Sequence, residues 1–460
     1  MPESPGLSNS SPSSLNARPL RPRLGIVVSS WPHEDGAEFA RQLVGLIGEV
    51  APSDDVDAIF YPQPYTHERE VPAVIKFFAD KRLDAVCIVP GNFTLDHIIP
   101  LLAEALHLPA VLWGLADPEA WGALVGLQQT LVPFKELGMP YRFVVGHLRE
   151  RKAWDKIVVY ARASAMVQRM KGMRIGLMGF RAEGMSDVMF DELALRETFG
   201  IQIVNVGLTR YSCAVDAVTE EEAMAAWRKM SPGFDPGVTP LPVILHGVRS
   251  HLALQRLIAE ENLQAFSVEC FHDHLGGPCL GKSIANDQGV AASCESDIPG
   301  AVMMAAMQLL SGEPTFHSDF NRIYFAENAG ILHHCGNLPR RLASHPETLG
   351  LLPIPEHIGA GAYGPTIQAT MKATPVTLTN LVGRRGTLRV AAMEGEAVPY
   401  ELEYPGSAAK VVFPFDLGEA LEAWGNAGFG HHYAVVVGHV ARQTAEWCQL
   451  LGVPFQQFGV

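Results

Sequence analysis

Five short apolar runs recur between residues 23 and 148, RLGIVVSSW, VDAIFYPQ, LDAVCIVPG, PAVLWGLA and YRFVVGHL, and several are separated by segments with helical apolar spacing. Runs that are apolar throughout suit strands buried on both faces, and parallel strands need a crossover between them. The alternation predicts a doubly wound parallel sheet. Ala153 to Met170, AWDKIVVYARASAMVQRM, is spaced as a long amphipathic helix. MRIGLMGF then begins a second series that continues through IQIVNVGL, PVILHGV, AFSVEC and GVAASCES, read as further strands. A boundary near Lys171 follows. After Pro353 the texture changes to TIQATMKATPVTLTNLVG and GTLRVAAMEGEAVPYELEYP, where alternation and β-branched residues predict antiparallel strands. The expected class is α/β: two Rossmann-like doubly wound α/β domains, residues 23–170 and 171–352, followed by a β-rich C-terminal domain, residues 353–460. Residues 1–22, rich in Ser and Pro without an apolar stretch, read as a flexible leader.

A chain of 460 residues has room for two or three such domains. Its net charge of -14, from 35 basic and 49 acidic residues, opposes binding to nucleic acid or to an anionic membrane surface. No apolar run approaches membrane-spanning length. Seven scattered cysteines, an odd number with no C-x-x-C spacing, fit a reducing cytoplasm better than a disulfide framework. GFRAEGM lacks the G-x-G-x-x-G fingerprint, so no nucleotide cofactor is expected.

The chemistry-bearing residues gather at predicted strand ends. In GVAASCESDIPGAVMMAAMQLLSGEPTFHSDF, Glu295 and Asp297 follow a strand and precede a helix with an early proline, and Asp319 lies beyond that helix. Ligands bind where the loops diverge beyond the C-terminal ends of parallel strands. ILHHCGN supplies His333 and His334, and GFGHHYAVVVGHV supplies His431 and His432. Two acids with one or two histidines can surround a divalent cation, and an oxygen-rich set suits Mn²⁺ or Mg²⁺. The competing reading makes Asp297 a helix cap and His333 and His431 packed or exposed neighbours of a site. Glu269 in SVECF also ends a predicted strand and is a candidate for contacting substrate, as are His431 and Asn337. Beside Gly336, however, Asn337 equally suits a turn. The methionines of VMMAAM read as core packing.

Taken in order, RIGLMGFRAEGMSDVMFDELALRETFGIQIVNV, CESDIPGAVMMAAMQLLSGEPTFHSDF, LHHCGN and HHYAVVVGHV resemble segments of the L-fucose isomerase and L-arabinose isomerase superfamily. The resemblance spans about Arg174 to Val440. It implies a three-domain aldose-ketose isomerase that uses Mn²⁺, with Mg²⁺ or Co²⁺ as alternatives, and assembles as a homotrimer or homohexamer. Carried over residue by residue, it makes Glu295 and Asp319 both metal ligands and catalytic acid-base groups. It selects His432 over His431 as the distant histidine ligand and offers His334 as a fourth. The sugar implied is a pentose, a deoxyhexose or a modified hexose such as a sulfonated sugar.

That chemistry uses such residues well. An open-chain aldose presents its carbonyl and the neighbouring hydroxyl to one metal, which stabilises an enediolate while two acids move a proton between C2 and C1. Two other readings compete: a non-catalytic sugar-binding or regulatory protein, and a metal-dependent epimerase or lyase that shares the intermediate.

Overall fold

The structure, a computed structural model, describes residues 19–271, 276–354, 364–384 and 386–460. Most of the expected leader lies outside them. The chain divides into two compact units, one of residues 20–169 with 442–452 and the other built from residues 170–441 with 453–460.

In the first unit, β1 (Arg23–Ser29), β2 (Asp57–Phe60), β3 (Ala85–Pro90), β4 (Ala110–Leu115) and β5 (Tyr141–Gly146) form one sheet in the order β2-β1-β3-β4-β5, with every pairing parallel. Alternate side chains of each strand face opposite sides of a sheet. Ile26, Val28, Cys87, Val89 and Trp113 accordingly pack with helices α1 (Ala37–Val50) and α5 (Arg151–Met170) on one side. On the other side, Val27, Val86, Ile88 and Leu112 pack with α2 (Val71–Phe78), α3 (Ile98–Leu106) and α4 (Ala123–Glu136). Both faces are covered, which is why these runs read as continuously apolar.

The second unit begins with β6 (Arg174–Met178), β7 (Gln202–Asn205) and the short β8 (Phe234–Asp235). With β9 (Ala265–Val268) and β10 (Ala291–Cys294), β6 and β7 make a four-stranded parallel sheet in the order β10-β9-β6-β7. PVILHGV, expected as a strand of this series, is helical instead: it forms the first turns of α6 (Leu241–Glu261), which has a proline at its start. A short apolar run does not distinguish a buried strand from a buried helix. Here it continues into an apolar spacing that buries Ile244, Leu245, Val248, Leu254, Leu257 and Ile258 along one long helix.

After α7 (Cys279–Asp287) and α8 (Ile298–Ser311) come β11 (Phe316–Tyr324), β12 (Ala329–His334), β13 (Leu349–Pro353), β14 (Pro365–Thr370), β15 (Thr374–Arg384), β16 (Thr387–Val398), β17 (Ser407–Val412), β18 (His432–Val437) and β19 (Phe455–Gln457). The pairings β16-β15-β18-β11-β12-β17 return to β16, closing a six-stranded barrel with antiparallel neighbours throughout. Phe316, Leu332, Val376, Leu378, Met393 and Val411 belong to its core. Its first two strands precede Pro353. They escape the β-rich texture that begins after Pro353 because β11, FHSDFNRIY, carries polar side chains where a core strand would be apolar.

Candidate metal centre

The parallel sheet delivers the first acid. β10 ends at Cys294, and Glu295 and Ser296 follow with φ of 63° and 59°. Two successive non-glycine residues in the left-handed region cost on the order of 1–3 kcal/mol each, a strain that collects at functional sites. The bend is held by Asp297 N donating to Cys294 O at 3.0 Å and by Ser293 Oγ donating to Asp297 O at 2.6 Å. Asp297 then caps α8, its Oδ1 accepting from Gly300 N at 2.8 Å. This is the capping role weighed from sequence. Its second oxygen does something else: Oδ2 lies 3.0 Å from Nδ1 of His432.

The barrel delivers the remainder. Asp319 on β11 sits directly opposite His432 on β18 in the antiparallel ladder. His317, two residues before Asp319, shares its side of the strand. His334 closes β12, the next strand of the barrel. His432 Nε2 lies 3.0 Å from Glu295 Oε2 and 3.7 Å from Asp319 Oδ1, and His334 Nε2 lies 4.0 Å from Glu295 Oε1. The rings of His317 and His432 are 4.4 Å apart and those of His317 and His334 5.3 Å. His317, His334 and His432 are all buried, and each presents a ligand atom within 4.8 Å of the others. Glu295, His431 and His432 form a second such group.

The donor set fits a divalent cation. His317 Nδ1 and Nε2, His334 Nε2 and Asp319 Oδ1 are buried without a hydrogen-bond partner, a situation that costs about 1–3 kcal/mol per group and that a bound cation would relieve. The Asp297 carboxylate on His432 Nδ1 leaves Nε2 turned toward Glu295 and Asp319, the arrangement that fixes the tautomer of a metal-binding histidine. His334 is less well prepared. Its Nδ1 accepts from Cys335 N at 3.0 Å, which in a neutral ring puts the proton on the nitrogen nearer Glu295.

Charge is sharply partitioned. Burial raises the Glu295 carboxyl, but the His432 hydrogen bond and the nearby His334 charge hold it down at about 2, so it is ionised. Burial also opposes charge on His432, yet its bonds to Asp297 and Glu295 raise it well above the ordinary range. His317 is driven well below that range, first by burial and then by the positive His432 and His334, which leaves it neutral. The neutral imidazole is the metal-binding form.

The other expected residues lie around this cluster in different roles. Glu269 Oε2 accepts from the backbone of Phe180 at 2.5 Å, bracing the turn after β6. Asn337 is buried, its amide nitrogen 3.2 Å from Cys294 Sγ and its oxygen unpartnered, while the left-handed turn beside it falls on Gly336, with φ of 151°. His431 is exposed, stacks on His432 at 4.0 Å, and its Nδ1 lies 2.5 Å from Asp187 Oδ2. Sequence reasoning missed His317 and Asp187. The i, i+2 spacing of His317 and Asp319 in FHSDF was the available signal for the first; nothing local pointed to Asp187, which lies 244 residues from its partner.

No family model matches the chain. A sulfoquinovose isomerase from Alkalicoccus urumqiensis is 24% identical over 390 residues, covering 81% of this chain and 85% of that protein. One from Clostridium sp. (strain MSTE9) is 25% identical, covering 80% and 86%. An L-arabinose isomerase from Thermotoga neapolitana is 23% identical over 340 residues, covering 69% of this chain and 66% of its own length. Among solved structures, a periplasmic solute-binding protein from Actinobacillus succinogenes 130z with bound D-allose is 14% identical and covers 64% of this chain and 93% of its own, at a TM-score of 0.17, too low to relate the folds. The named relatives are sugar isomerases, which are intramolecular oxidoreductases. The chain is therefore a homologue of sugar isomerases of the L-fucose and L-arabinose isomerase superfamily that its motifs resemble.

Proposed function

We propose that this protein is a metal-dependent aldose-ketose isomerase whose substrate is a sulfonated hexose. One observation carries the reading: two carboxylates and three histidines, drawn from four stretches between residues 295 and 432, meet in one cluster in which both His317 nitrogens, His334 Nε2 and Asp319 Oδ1 have no hydrogen-bond partner. The substrate class is favoured by the greater share of the chain that aligns with the sulfoquinovose isomerases, 81% against 69% for the arabinose isomerase.

Glu295, Asp319 and His432 would hold the ion, with His317 and His334 completing the set. When bound, the ion supplies Lewis-acid polarisation of the sugar's carbonyl and adjacent hydroxyl oxygens. Three imidazoles make the set richer in nitrogen than the sequence suggested, which favours Mn²⁺ or Co²⁺ over Mg²⁺. Asp297 keeps His432 aimed inward. The two acids occupy different surroundings: the Glu295 side chain is 8% exposed and that of Asp319 31%. Asp319 thus meets the incoming sugar from the wetter side, and Glu295 from the drier one. Between them they carry the proton from C2 to C1 through an enediolate.

The test is to strip the purified protein with EDTA, restore Mn²⁺, and follow aldose-to-ketose conversion of sulfoquinovose, L-arabinose and L-fucose. Metal-restored conversion is expected, greatest with the sulfonated sugar, and Glu295→Gln, Asp319→Asn and His432→Ala should each abolish it. Sugar binding that is indifferent to metal, without conversion, would instead establish a binding protein. The same reading carries assembly as a homotrimer or homohexamer, which light scattering measures directly.

A further inference from the structure

Among the described residues, one buried lysine beside the centre has no carboxylate within hydrogen-bonding distance. Lys282, on α7, is fully buried, and the hydrogen bonds of its Nζ run to two thiols, Cys294 Sγ at 2.9 Å and Cys270 Sγ at 3.4 Å. Burying an amine or ammonium against weak sulfur acceptors is an expensive way to fill a core. A Leu or Met of similar length would pack there without that cost. Cys294 is the last residue of β10, immediately before Glu295, and it also receives the Asn337 amide at 3.2 Å. Nitrogen and sulfur are therefore held in contact by three separate elements, the helix α7, the strand β10 and the turn after β12.

We propose that Lys282 and Cys294 form a covalent modification site, closing under peroxide to a nitrogen-oxygen-sulfur bridge. The first peroxide oxygenates the thiol: an S–O bond forms, the O–O bond breaks, and one water leaves, giving the sulfenic acid. The second removes the sulfenic O–H and one amine N–H as the N–O bond forms, and is itself reduced to two waters. Overall, R–NH₂ + R′–SH + 2 H₂O₂ gives R–NH–O–S–R′ + 3 H₂O. Sulfur and nitrogen each give up two electrons, and the four peroxide oxygens accept them, one staying in the bridge.

Cys270 offers the competing product, a Cys270–Cys294 disulfide, and the sequence separates the two outcomes. Trypsin cuts after Arg256, Lys282 and Arg322, with no Lys or Arg between these positions, so Cys270 and Cys294 fall on different peptides. The full-length protein is treated with hydrogen peroxide, alkylated, digested and mapped by mass spectrometry, with and without dithiothreitol. The expected product is one peptide spanning Leu257 to Arg322, uncut at Lys282, heavier than the reduced sequence by one oxygen less two hydrogens, about 14 Da, and lost on reduction. Cys270→Ser should leave it in place. Normal cleavage at Lys282, with the two peptides joined at about 2 Da below their reduced mass, would overturn the proposal in favour of the disulfide. Cleavage at Lys282 with only dioxidised or trioxidised Cys294 would overturn it as well.

Discussion

Asp297 makes two bonds with two oxygens, and Asp297→Asn separates them. The Oδ1 bond to Gly300 N is a helix cap, which Asn supports about as well as Asp, so this part is retained. The Oδ2 bond to His432 Nδ1, buried at 3.0 Å, needs an acceptor, and an amide nitrogen turned that way would instead force the ring proton onto Nε2. Hydrogen bonds to charged groups contribute about 1.5–3 kcal/mol, so the metal-free variant should lose an amount in that range in urea unfolding. Loss of the carboxylate that orients a metal-binding histidine costs roughly 10–100-fold in affinity, or about 1.4–2.7 kcal/mol. Titration calorimetry with Mn²⁺ reads this directly, without substrate. Asp297→Ala should show the same loss of affinity together with about 1 kcal/mol more destabilisation from the missing cap. Mn²⁺ binding by Asp297→Asn within twofold of the parent would refute the idea that Asp297 sets the ring.

His317→Leu should stabilise the metal-free protein by about 1–3 kcal/mol, because it removes two buried unpartnered nitrogens, while shrinking the thermal shift that Mn²⁺ produces; unchanged metal stabilisation would remove His317 from the ligand set. Gly300→Ala places a Cβ 2.2 Å from Asp297 Oδ2 and 3.1 Å from His317 Cε1, so it should weaken Mn²⁺ binding although alanine favours helix; equal or tighter binding would show that the cap has room. His251 is buried in α6 and burial lowers it from 6.5 to about 4, so it is neutral when folded. A lowered pKa of this kind gives stability that is present above 6.5 and lost as pH falls toward 4. His251→Leu should therefore suppress about 2.5 kcal/mol of the destabilisation between pH 7 and 4.5, read as urea midpoints; an unaltered acid limb would mean that other groups govern it.

Strand identity was legible wherever burial on both faces made a run continuously apolar, as from Arg23 to Gly146. It failed at PVILHGV, where a seven-residue window carries no period and the helix shows only over its full 21 residues. Glu295 and Asp297 were legible because they lie between a predicted strand end and a helix start, where ligands bind in open parallel sheets. His317 was not, since a polar residue two before an acid has meaning only once FHSDF is known to be a strand. Asp187 and Lys282 depend on partners far along the chain or buried behind it, and their pairing is a property of the closed fold. Barrel closure was equally hidden: the β16–β17 pairing that completes the ring is a contact between strands whose own sequences specify only alternation.

Closure of that ring makes the spacing of the centre a matter of counting. Every strand carrying a donor from the barrel is hydrogen-bonded on both sides, so β18 has no free edge along which to slide against β11. A shift by one residue would set Tyr433 opposite Asp319 and turn His432 to the other face of the sheet. Substitutions in this region can thus be graded, atom by atom, whereas a single inserted or deleted residue in β11 or β18 would displace the donors together. Length variation among descendants of this chain is expected to fall in the connections and to spare those two ladders.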